Sequence, residues 1–200
     1  MFGIFGRKKK PAGVSVEVIP EELWQGEIGQ ALRAAGMRPD DPGNIVSFPS
    51  ARDAWLAQSR VALELRVEAE NAKIQRAHPD CSVAPMHIFT EMVWNGPHSQ
   101  LLETLNLTPY DEWNVRLVAA DQKSAEALKL PRIYQGEIAH FQDHINALLG
   151  ELQGQHRASA NFGHDMTRDI WGLANYFWED QIKPGLVEEH APAQRPEHPA

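Results

Sequence analysis

Between Pro131 and Gly154 the sequence PRIYQGEIAHFQDHINALLGELQG gathers the residues best suited to chemistry. Glu137-x-x-His140 sets a carboxylate and an imidazole one helical turn apart, and His144 follows His140 at i+4. On a helix this spacing lets neighbouring side chains hold one divalent cation, and helices feed such ligands into a bundle interior. Glu137, His140 and His144 are therefore the candidate metal ligands, with Glu64 and Glu68 of another helix as helpers. A dinuclear carboxylate centre asks for a second Glu-x-x-His, and the chain has none. Glu137, His140, His144 and Glu151 also share the flank of an apolar stripe, where such side chains touch the seam and still reach water. That bland reading comes first. No catalytic constellation is read, no cofactor is called for, and a divalent metal ion is the alternative.

The elements that must carry these residues follow from periodicity. Tyr134, Ile138, Phe141, Ile145, Leu148, Leu149 and Leu152 fall on one face of a helix over 131–154. A polar connector leads to a last helix over 159–182, whose buried stripe is Phe162, Met166, Ile170, Leu173, Ala174 and Phe177. The short link predicts an antiparallel hairpin. Trp171 and Trp178 widen the last stripe along one edge. They read as core, and as a partner site if exposed. Residues 51–77 hold no Gly or Pro and carry two apolar stripes, Trp55, Ala62, Leu65 and Ala69 against Leu56, Leu63, Val67 and Ile74. Such a helix runs between two packing partners or lends one side to an interface.

The remaining thirds are more broken. Val14, Val16 and Val18 alternate with polar residues as a short strand does, a helix runs from Glu21 to Gly36, and Ile45, Val46 and Phe48 form a second strand. Two strands around one helix could pair in parallel as a small βαβ unit, yet two strands alone make a poor sheet, so they count as a minor element. His78-Pro79 stops the long helix. The loop HPDCSVAPMH brings His78, Cys81, Met86 and His87 together in sequence, in a spacing that matches no specified metal site. Residues 86–94 predict a short buried helix, with a strand as the alternative. A helix after Pro97 carries Leu101, Leu102 and Leu105. Thr108-x-x-Asp111 resembles a capping box ahead of a helix with Trp113, Val115, Leu117 and Val118. One more short helix spans 121–130, and no internal repeat at solenoid periods is visible.

The fold expected is mainly α: an irregular helical bundle with a C-terminal antiparallel helix hairpin and a minor two-strand N-terminal β element, with α+β as the alternative. A chain of 200 residues with 42% hydrophobic and 23% charged residues fits one soluble globular domain, placed at 13–183. No apolar run reaches the length of a membrane span. A net charge of -8 disfavours nucleic acid. The single cysteine, Cys81, suits the cytoplasm. Residues 1–12 put Phe2, Ile4 and Phe5 ahead of Arg7, Lys8, Lys9 and Lys10, an order that suits contact with an anionic membrane face, here the inner one, or with a partner. Residues 184–200 form a Pro/Glu/His tail too poor in apolar residues to pack. The function expected is that of a non-catalytic interaction or adaptor protein working through helical apolar surfaces, by a protein partner or self-association. Phe2, Phe5, Lys8, Lys9, Lys10, Trp171 and Trp178 are its candidate contacts. The alternatives are a helical-bundle metalloprotein with a Glu-x-x-His site and a peripheral membrane protein using its N-terminal segment.

Overall fold

A computed structural model describes residues 13–132, 138 and 141–183. The calls on the two ends of the chain, 1–12 and 184–200, lie outside them. The described chain is mainly α with minor β elements, and its contacts cluster in two compact units, Met1–Ala69 and Glu70–Ala200. No described helix is long and apolar enough to cross a membrane.

In the first unit, β1 (Val14–Glu17) pairs with β2 (Ile45–Phe48), Val14 opposite Phe48 and Glu17 opposite Ile45. The pairing is antiparallel, not the parallel βαβ that the pattern allows. The cause is the junction at Asn44. Its carbonyl accepts from Val18 N–H, its Oδ1 accepts from Ile19 N–H at 2.7 Å, and its Nδ2 donates to Ile19 O. The end of β1 is thereby fastened to the start of β2, so the strands leave that point in opposite directions. Between them the expected single helix is split. A 3-10 turn covers Glu21–Trp24, and α1 (Gly26–Ala34) restarts at Gly26, whose φ of +69° interrupts helical geometry. Ile19, Trp24 and Leu32 form the core here, with Leu23, Ile28, Val61 and Leu65 packed against it. Val61 and Leu65 come from α2 (Ala51–Ala77), whose first turn is capped by Ser50 Oγ accepting from Asp53 N–H. Of α2 only Ala54 and Leu63 are buried, so both apolar stripes are mostly half-buried.

In the second unit, β3 (Val83–His87) pairs antiparallel with β4 (Val115–Ala119), Val83 opposite Ala119 and His87 opposite Val115. A strand thus stands where the pattern predicts a loop and then a helix, with Pro85 inside it. Asn71 explains how Pro85 is tolerated. Its side chain accepts from Val83 N–H and donates to Val83 O on the edge away from β4. Pro85 lies on that same edge, where its missing N–H removes no ladder bond. The helix predicted after Thr108 is also absent. Thr108 donates both its N–H and its Oγ1–H to the Asp111 carboxylate, closing a turn, and the chain after it enters β4, where Val115 and Val118 suit a strand.

Short helices α3 (Glu91–Trp94), α4 (Ser99–Thr104) and α5 (Gln122–Leu128) follow the strands, α5 capped by Asp121 accepting from Ser124 N–H. That bond holds the Asp121 carboxyl below the usual carboxylate range. The long amphipathic helix, α6, covers Phe141–His156 and does not start at Pro131. Pro131 O accepts from Ala119 N–H, and Arg132 forms a parallel bridge with Ala119, so this stretch begins as an added rung on β4. The hairpin itself forms as the short link predicts. Helix α7 (Phe162–Tyr176), prolonged by a π-helical turn over Phe177–Ile182, packs antiparallel on α6: Phe141 meets Phe177 at one end, and His156 Nε2 lies 2.7 Å from Asp169 Oδ2 toward the other. Arg168 and then His156, both hydrogen-bonded to Asp169, lower its pKa. Phe89, Leu102, Val118, Ile145, Leu149, Met166, Ile170 and Phe177 are fully buried in the core of this unit.

Both units contain the same strand–helix–strand pattern, at a spacing of seventy residues that is longer than the solenoid periods at which no repeat is visible. Residues recur after seventy positions: Glu21 and Glu91, Trp24 and Trp94, Leu32 and Leu102, Pro39 and Pro109, Asp41 and Asp111, Asn44 and Asn114. The strand registers coincide under the same shift. So do the backbone bonds that end α1 and α4, Met37 N–H to Leu32 O and Leu107 N–H to Leu102 O, each after a residue of positive φ, Gly36 and Asn106. The Asn114 side chain repeats the Asn44 junction, accepting from Phe89 N–H and donating to Phe89 O. Val61 and Leu65 of α2 cover the first module as Ile145 and Leu149 of α6 cover the second. Helix α5 and the residues up to α6 are an insertion in the second copy.

Candidate functional site

The site lies in the second unit, at the junction that follows β3. Ile88, Phe89 and Thr90 leave the strand with their backbone polar groups held by two fully buried amides. Asn114 binds Phe89 N–H at 2.7 Å and Phe89 O at 3.1 Å, and its Nδ2 also donates to Pro109 O. From α6, Gln142 Oε1 accepts from Thr90 N–H, and its Nε2 donates to Ile88 O and Ile138 O. Trp94 Nε1–H takes the second lone pair of Phe89 O. Side chains here replace a missing strand, so three residues in a row are fixed without regular structure.

One polar atom is left over. Thr90 Oγ1 is buried and has no hydrogen-bond partner among the described residues, although Thr90 occupies the N-cap position of α3. Thr90 lines an open cleft of about 660 Å³, together with Met86, Phe89, Trp94, Tyr110 and Ile138. Met92 stands at it 52% exposed, and Glu91 beside it is exposed too. His87 is the ring closest to chemistry in the lining, but its Nδ1 donates to Pro109 O at 2.9 Å and its edge packs on Tyr110. A carbonyl cannot donate, so that bond fixes Nδ1 as the protonated nitrogen. What the cleft offers is mostly apolar and aromatic surface, with polar groups from Glu91, Asn95 and Tyr110 and the buried hydroxyl of Thr90.

The residues singled out from the sequence are scattered. Glu137 and His140 lie outside the described residues. His144 is exposed on α6 with its ring edge-on to Phe177, and Glu151 is exposed further along. Glu64 pairs with Arg60 at 2.8 Å, and Glu68 is exposed. His78 is exposed while Cys81 and Met86 are buried. Among the described residues no three His, Cys, Asp or Glu side chains converge as a metal site would need. Trp178 is buried as core, but Trp171, read as core too, is 47% exposed: on α7 it stands roughly 100° away from the buried face of Met166, Ile170 and Ala174, whereas Trp178 belongs to the π-helical turn, whose winding differs. Phe2, Phe5, Lys8, Lys9 and Lys10 lie outside the described residues. Sequence reasoning missed Thr90, Met92, Asn114 and Gln142. The recurring Pro-x-Asp-x-x-Asn of 39–44 and 109–114 was the signal that could have found Asn114.

The chain matches no protein-family model, no curated protein and no solved structure.

Proposed function

We propose that the chain is a non-catalytic interaction protein, acting in the cytoplasm, whose second-unit cleft takes an apolar side chain of a protein partner that carries one polar atom. The observation behind this is Thr90 Oγ1, a buried hydroxyl with no partner among the described residues, in a wall where Met86, Phe89, Trp94 and Ile138 supply apolar surface beside the polar groups of His87, Glu91, Asn95 and Tyr110. Leaving such a group unpaired costs about 1–3 kcal/mol, and a partner atom bonded to it recovers that cost. The anchor itself contributes about 1.5–3 kcal/mol by burial, too little for stable binding alone. The partner must therefore also contact the rim, where Met92 stands exposed.

Met92→Asp tests this. The side chain is half in solvent, so the variant is expected to melt with the wild type while retention of the partner from a lysate of the source cell falls about tenfold or more. Equal retention by variant and wild type would remove the cleft from binding.

A further inference from the structure

The first unit holds the same cleft in a different chemistry. Glu17, Glu21, Trp24, Gln25, Pro39 and Asp40 line a cavity of about 510 Å³. Under the seventy-residue shift they fall on His87, Glu91, Trp94, Asn95, Pro109 and Tyr110, all lining the cleft of the second unit. The tryptophan, the proline, a glutamate and an amide are kept. His87 and Tyr110 give way to Glu17 and Asp40, which turns an aromatic lining into an acidic one.

We propose that this cleft binds a basic peptide segment, with a lysine or arginine side chain against the carboxylates of Glu17, Glu21 and Asp40 and a peptide carbonyl on Trp24 Nε1–H. None of the three carboxylates forms an ion pair among the described residues, and all three residues are exposed at the cavity. The one cation in the lining among the described residues, Arg33, is tied to the wall by its bond to Trp24 O at 2.8 Å. An excess of negative charge remains for a cationic guest. The independent sign of a guest is Trp24. It is 3% exposed, and its Nε1–H is buried without an acceptor among the described residues, whereas its counterpart Trp94 donates to Phe89 O. A peptide carbonyl supplies what that donor lacks. This site stands on its own residues and does not depend on the second-unit cleft.

The test is fluorescence anisotropy of a labelled, end-capped pentapeptide of alternating Arg and Lys, titrated with the full chain at moderate salt. Saturable binding is expected, weakened about tenfold or more by Glu21→Gln with Asp40→Asn. Trp24→Phe keeps the ring surface and removes the donor, and is expected to weaken binding about threefold to tenfold. Neutralising Glu126 and Asp143, exposed carboxylates of the other unit, is expected to change it less than about twofold. Absence of saturable binding overturns the proposal. So does an equal loss from both pairs, which would mean general attraction to a chain of net charge -8. Displacement by spermine at the same concentration as unlabelled peptide overturns the role of the carbonyl and with it the peptide.

Discussion

Asn114→Ala is expected to lower the stability of the second unit by about 3–5 kcal/mol, a large part of what holds a domain of this size together. The side chain is fully buried and makes three hydrogen bonds, to Phe89 N–H, Phe89 O and Pro109 O, between 2.7 and 3.1 Å. Alanine leaves Phe89 N–H with no acceptor in a place water does not reach, and opens a cavity the size of the lost amide. Asn114→Asp is no remedy, because it keeps the acceptor for Phe89 N–H but turns a buried charge on two carbonyls. The corresponding Asn44→Ala should cost less. Its Nδ2 contacts are longer, 3.3 and 3.5 Å, and Asn44 keeps 6% exposure. Urea denaturation of both variants checks the order. A loss at Asn114 below about 1 kcal/mol would mean the junction is not held this way.

Gly29→Ala should be as damaging to the first unit, by about 3 kcal/mol or more, for a steric reason. A Cβ at Gly29 would overlap the carbonyl of Trp24, which is backbone and cannot swing aside. The 3-10 turn and α1 come this close because Gly26 turns the chain back on itself between them. Gly36→Ala makes a useful comparison. Nothing crowds that site, so its cost is only that of a positive φ, about 1 kcal/mol. Thermal melts of both variants separate crowding from backbone conformation, and a Gly29 variant no worse than the Gly36 one would show that α1 packs less tightly on the turn.

The long elements were legible because a helix with one greasy face needs only its own residues to be recognised. The 51–77 helix, the 162–182 segment and the hairpin follow from apolar spacing. In the middle third the short helices after Pro97 and over 121–130 were legible for that reason too, and the strands were not. In 108–119 the residues suit a helix or a strand by local preference, and what decides is remote: Val115–Ala119 pairs with 83–87. The start of α6 was misplaced because Pro131, a good first residue for a helix, is held instead by Ala119. The repeat escaped notice because the residues kept between copies are mostly at turns and junctions, while the strands changed their side chains almost throughout. The site was hidden for a related reason. The candidate ligands in the sequence are ionisable residues at helical spacing, whereas the cleft rests on Thr90, Met92, Trp94 and the buried amides of Asn114 and Gln142, with Glu91 at its edge. Apart from the Pro-x-Asp-x-x-Asn that recurs around Asn114, such residues carry no spacing signal. Their meaning lies in which backbone groups they leave satisfied.

Thr90→Val is the most direct test of the claim that the second-unit cleft is a binding site. Valine has the shape of threonine and lacks the hydroxyl that is buried without a partner among the described residues. The variant should be more stable than wild type by about 1–2 kcal/mol and yet retain its partner several-fold less well, both read on the same preparation by melting and by partner retention. A variant that is more stable and binds its partner as tightly as wild type would contradict the account, since the hydroxyl would then be a packing fault and not a contact kept for a guest.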